Sequence, residues 1–121
     1  MHVVCGVLIR DSKFFLAKRP EGKNLPNHWE FPGGKVENDE SFEMALKREW
    51  QEELQLNIVV LDKIASFEND QLTLHSYFIE SSSNQTPVIN EHQAFGWFNY
   101  TQTKQLLMGK LDLSIINFLN K

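Results

Sequence analysis

The segment Arg48-Glu49-Trp50-Gln51-Glu52-Glu53 constrains this chain more than any other. Glu49, Glu52 and Glu53 stand at i, i+3 and i+4, so on a helix turning about 100° per residue they share one face. The flanking residues predict that helix over Ser41–Leu54. Ser41 is a good N-cap, Glu43 falls in the first turn where it complements the helix dipole, and neither Gly nor Pro interrupts the run to Leu54. Phe42, Leu46, Trp50 and Leu54 recur every four residues and form an apolar stripe beside the carboxylates. A helix that buries this stripe carries three carboxylates along the edge of what it buries.

Like charges at this spacing repel. An ordinary exposed helix interleaves Lys at i+4 and gains a few tenths of a kcal/mol per pair; here only Arg48 is near. A divalent cation among the carboxylates resolves the repulsion, and hard oxygen ligands suit Mg²⁺, with Mn²⁺ as a substitute. The triplet alone also admits a solvated acidic face, which would leave the function open.

The rest of the chain predicts a sheet for this helix to cover. Val3–Ile9 and Phe14–Arg19 read as strands joined by a turn, and His28–Phe31 as a short strand. Pro32-Gly33-Gly34 reads as a break, with a tight turn at the glycine pair. Ile58–Phe67, Leu72–Glu80 and Ala94–Asn99 read as further strands, and Thr101–Met108 and Asp112–Leu119 as short helices. A sheet with helices on its faces is the expected architecture, an α/β fold.

Length and charge bound the function. At 121 residues the chain is expected to be one domain, residues 1–121. Its 12 basic and 16 acidic side chains leave a net charge of −4, a poor balance for long nucleic acids or membrane surfaces. Cys5 is the single cysteine, so no disulfide forms within the chain. The apolar run Val3–Ile9 is too short to span a bilayer and lacks preceding positive charge, so a cytoplasmic protein is expected. His28, His75, His92 and Cys5 lack metal-ligand spacing, which argues against a zinc site.

Residues Gly34 to Leu56 read GKVENDESFEMALKREWQEELQL. This run closely resembles the Nudix signature, with Gly34, Glu40, Arg48, Glu49, Glu52 and Glu53 in register. At roughly 6% background per residue type, six such matches arise by chance on the order of once in 10⁵ to 10⁶ sequences. Gln55 stands where the family has a glycine. That glycine serves as a left-handed helix cap, and Gln there costs about 1–2 kcal/mol if the backbone keeps that shape. Trp29-Glu30-Phe31-Pro32 resembles the approach sequence of MutT-type members, and Glu91-His92-Gln93-Ala94 their late loop.

The resemblance implies an α/β/α sandwich around a mixed sheet and Mg²⁺-dependent hydrolysis of a nucleoside diphosphate linked to another group. Glu49, Glu52 and Glu53 would ligate the metal with the main-chain oxygen of Gly33. Arg48 would orient a carboxylate of the set, Glu40 would support the loop–helix junction, and Glu91 would bind metal or accept a proton from the attacking water. Metal neutralises the anionic bridge and lowers the pKa of water. Arg19, Lys23 and Lys35 are the cations available to phosphates, with a solvated charge favoured for Lys23. Phe31 and Phe78 are candidates to stack on a base, with core packing favoured for Phe78, and Asp112 is a base reader or an N-cap.

On this reading a nucleoside triphosphate, oxidised or cytidine-type, would give the monophosphate and pyrophosphate. Sugar nucleotides, dinucleoside polyphosphates and a non-catalytic nucleotide-binding module are the alternatives. Monomer and homodimer both remain open.

Overall fold

The structure is a computed structural model and describes residues 1–120. The chain runs β1 (His2–Arg10), β2 (Lys13–Lys18), β3 (Trp29–Glu30), β4 (Gly33–Lys35), α1 (Phe42–Leu54), β5 (Ile58–Glu68), β6 (Thr73–Ser81), β7 (Ala94–Phe98), α2 (Tyr100–Thr103) and α3 (Lys110–Leu119). The sheet is mixed. β1 lies parallel to β6 from His2↔Thr73 to Leu8↔Ile79, and the other ladders are antiparallel.

Strand β1 is the central element, and its residues alternate between two cores as a period of two requires. Val4 and Leu8 join Phe15 under Ala45, Leu46, Trp50 and Leu54 of α1. Cys5 and Val7 face the other way and join Leu16, Phe31, Met108, Ile115 and Ile116 beneath α3. Helices thus cover both faces, giving the expected α/β/α sandwich. Gly6 makes room for the largest core residue, because a Cβ there would lie 2.9 Å from Trp50 Nε1.

The glycine pair does not break the sheet. Gly33 and Gly34 lie in β4, paired with Cys5 and Val4 of β1. Their function is close approach: a Cβ on Gly33 would lie 1.9 Å from the Val4 carbonyl oxygen. A tight turn was expected because composition marks where a side chain is missing but not why. The expected helix Thr101–Met108 is also corrected. α2 ends at Thr103, and Met108 instead enters the core and bridges to Trp29. The last helix begins at Lys110 with Gly109 as its N-cap, so Asp112 lies inside the first turn and is not the cap.

Helix α1 forms where the sequence predicts. Ser41 caps it by accepting the Met44 N–H at 3.1 Å. Gln55 closes it in the left-handed conformation with φ 53° and ψ 38°, its N–H bonded to the Gln51 carbonyl. The backbone therefore keeps the shape that favours glycine. Gln55→Gly is expected to raise stability by about 0.5–1 kcal/mol, the relief of the left-handed strain less the gain in unfolded-chain entropy. Urea unfolding of the two proteins checks this.

Candidate active site

Trp50 seats the helix. Its ring is fully buried, and its indole N–H donates to the Pro32 carbonyl at 2.9 Å. The same carbonyl accepts the Gly6 N–H at 3.0 Å. This joins α1 to the residue just before β4 and brings Glu49 against the glycine strand. A Cβ on Gly34 would lie 2.4 Å from the Glu49 carboxyl carbon, so only glycine leaves that carboxylate where it is.

Arg48 organises the outer edge of the acidic face. Its Nε and Nη2 donate to the two oxygens of Glu40 at 2.7 and 2.9 Å, a forked pair of the strong kind. Nη1 donates to Glu49 at 2.7 Å and to Glu52 at 3.2 Å, and Nη2 also reaches the Lys35 carbonyl at 3.1 Å. Hydrogen bonds from Arg48 and the Glu37 N–H hold the Glu40 carboxyl down to about 2, and donating to Glu40 pushes the guanidinium further up. Glu40 thus ties the loop before α1 to Arg48, and Arg48 turns Glu49 toward β4.

The C-terminal end of α1 carries the rest. Its last carbonyls need partners. Val88 N–H donates to the Leu54 carbonyl at 2.9 Å, and Asn90 donates to the carbonyls of Glu53 and Glu52 through its N–H and Nδ2. These bonds draw the loop before β7 over the helix end, which places Glu91 beside Glu49, Glu52 and Glu53. Gln93 fastens the other end of the loop through its N–H to the Lys18 carbonyl and its side chain to the Arg19 carbonyl. Between these anchors His92 turns inward, with Nε2 2.7 Å from Glu30 and 3.6 Å from Glu53.

Two adjoining clefts result. One, of about 450 Å³, is lined by Glu49, Glu52, Glu53, Asn90 and Glu91. The other, of about 390 Å³, shares Glu49, Glu53 and Glu91 and adds Gly33, Gly34, Arg19, Lys23 and Lys35. Carboxylates and cations therefore face one groove. Burial is the first cause that pushes the Glu53 carboxyl up to about 9, followed by its hydrogen bond and charge interaction with Glu49 and the charges of Glu30 and Glu91. Glu53 Oε2 is buried without a hydrogen-bond partner. An unpartnered buried oxygen among several carboxylates fits a hard divalent cation. Glu30, Glu53 and His92 also place one ligand atom each within 4.8 Å of one another, a grouping that sequence spacing did not predict.

The structure does not bring every expected residue into this groove. Phe31 is 3% exposed in the core beneath α3, with Phe14 set edge-on to it, and it lines neither cleft. Phe78 packs half-buried against the same core. The Asp112 carboxyl accepts the Phe31 N–H at 3.0 Å, and burial, then the charge of Glu30, pushes it up to about 7. Lys23 is exposed, as expected for a solvated charge, and stands on the lining of the second cleft. Glu30, Asn90 and His92 were not identified from sequence. Their only signal was adjacency, to Trp29 and Phe31 in one segment and to Glu91 in the other.

A family model described as NUDIX domain matches residues 1–117, and the chain belongs to that family. It is a Nudix hydrolase, of a family that generally uses divalent metals. The chain is 33% identical over 120 residues to an Escherichia coli protein named CTP pyrophosphohydrolase, covering 96% of this chain and 88% of that one. It is 34% identical over 90 residues to the 8-oxo-dGTP diphosphatase of Proteus vulgaris, covering 70% of this chain and 80% of that one. The solution structure of the E. coli ORF135 protein superposes with a TM-score of 0.87 at 32% identity, covering 98% of this chain and 87% of that one.

The raised carboxyls have a measurable consequence. Glu53 rises from 4.5 to about 9 and Asp112 from 3.8 to about 7 on folding, so the folded state holds protons that the unfolded chain has released. Their contribution to stability is complete below about pH 4 and lost as pH rises through the folded values. In EDTA, the melting temperature is therefore expected to fall between pH 5 and pH 9, as calorimetry at fixed ionic strength will read.

Proposed function

We propose that this chain is a single-domain pyrophosphohydrolase that cuts a nucleoside triphosphate into nucleoside monophosphate and pyrophosphate with Mg²⁺. The observation that carries the reading is the groove itself, in which Glu49, Glu53 and Glu91 share one cleft with Arg19, Lys23 and Lys35 and Glu52 lines the adjoining one. A triphosphate needs both: cations for its charge, and oxygen ligands for the metal that accompanies it. The names of the relatives support a cytidine-type or an oxidised purine nucleotide as the substrate.

Glu49, Glu52 and Glu53 would hold the metal, with Glu91 and the main-chain oxygen of Gly33 completing the set. When bound, the metal supplies charge neutralisation at the phosphates and a water of lowered pKa. Arg48 keeps Glu49 and Glu52 oriented and leaves their remaining lone pairs to the ion. Arg19, with its Nη1 fixed by Glu30, and the exposed Lys23 and Lys35 bind the phosphate chain. Glu91, on the loop drawn over the helix end, would accept a proton from the attacking water. Glu53 is the ligand whose ionisation the ion must sustain, because the site without it favours the protonated acid. Cation binding therefore releases a proton and tightens as pH rises.

The test is a panel of nucleotides including CTP, modified dCTPs, 8-oxo-dGTP and an ADP-sugar, assayed for pyrophosphate release with Mg²⁺. Turnover of a triphosphate is expected, abolished by EDTA and lowered by about 10²-fold or more in Glu52→Gln and Glu53→Gln. Absence of turnover across the panel, or full activity in both variants, would overturn the proposal.

A further inference from the structure

His92 is the most enclosed polar side chain at the groove, with 3% of its side chain exposed, and the proposed chemistry leaves it without a role. Its Nε2 faces two carboxylate oxygens, Glu30 Oε2 at 2.7 Å and Glu53 Oε1 at 3.6 Å. A nitrogen lone pair facing the Glu30 carboxylate at 2.7 Å would be repelled, so Nε2 carries the hydrogen. Nδ1 is then the bare acceptor, and it is buried without a partner. The other oxygen of Glu30 accepts from Arg19 Nη1 at 2.9 Å. Arg19, Glu30, His92 and Glu53 thus form one continuous run across the end of β2, β3, the loop before β7 and α1.

We propose that His92 is a positioning residue of the hydrolase. Its Nε2–H binds Glu30 and stands between that carboxylate and Glu53, 3.6 Å away, and so fixes the space in which Glu53 meets the divalent cation and, through Glu30, sets Arg19 toward the phosphates. The inference rests on the reading that Glu53 is a cation ligand. Without this donor the two carboxylates would face each other with nothing between them. Arg19 is already tied into the run by its Nη1, on the far oxygen of Glu30, and by its Nε, on the Asn24 carbonyl at 2.6 Å. The ring is delivered by backbone bonds on either side of it, from Asn90 to Glu53 and from Gln93 to Lys18. The loop is therefore held independently of what the side chain does, and a change of side chain removes the donor without removing the loop.

Three variants separate the donor from mere bulk. His92→Gln keeps an N–H at the reach of Nε2, His92→Asn keeps one only at the reach of Nδ1, and Glu30→Leu removes the acceptor from the other side. Mn²⁺ binding without nucleotide is read by titration calorimetry, and the half-saturating Mg²⁺ for turnover is measured alongside kcat and KM. His92→Asn and Glu30→Leu are expected to weaken Mn²⁺ binding about tenfold and to raise the Mg²⁺ requirement similarly, with His92→Gln within about threefold of the parent. Parent affinity in both His92→Asn and Glu30→Leu overturns the inference, as does a His92→Gln no better than His92→Asn. If His92→Asn does not fold, Glu30→Leu decides, and parent affinity there overturns the inference. A parent that binds no Mn²⁺ instead sinks the reading of Glu53 as a ligand, which is a separate failure.

Discussion

Helix α1 and strand β4 approach more closely than side chains normally permit, and the site is built on that approach. Gly33 lets β4 pair against β1, Gly34 leaves space for the Glu49 carboxylate, and the Trp50 indole binds the carbonyl between β3 and β4. Each of these contacts belongs to packing, yet together they set where the acidic face of the helix lies. A methyl group at Gly34 would have to displace the carboxylate or the helix.

Electrostatics then determine what that face can be. Arg48 is the counter-charge on the outer edge, where it serves Glu40, Glu49 and Glu52 together. No comparable cation reaches Glu53 among the described residues; it lies deeper and leaves one oxygen unpartnered. Its protonated form is favoured there because burial and like charge act in the same direction. Such an arrangement costs stability in the free protein, and a cation that binds only the folded state would recover it.

Helix ends matter as much as helix faces. The carbonyls at the end of α1 recruit Val88 and Asn90, and the loop that supplies them carries Glu91 and His92 to the groove. A backbone requirement of one element thus places side chains of another, some forty residues along the chain. The same loop is fixed at its far end to the β2 terminus, which is where Arg19 stands.

Local pattern determined the helix, its cap at Ser41, the buried stripe of Leu46, Trp50 and Leu54, the carboxylate face, and the first strand at Val3–Ile9, because each follows from residues within a dozen positions of one another. The left-handed turn at Gln55 was also legible, through the position it occupies in the signature. Tertiary structure alone decided the remainder. It made a strand of Gly33–Lys35, buried Phe31 away from the groove, gave Asp112 the distant Phe31 N–H as its partner, and brought Glu30, His92 and Glu53 together from three segments. None of these is encoded in spacing, because each depends on the distance between elements that only the packed sheet and its two helical layers establish.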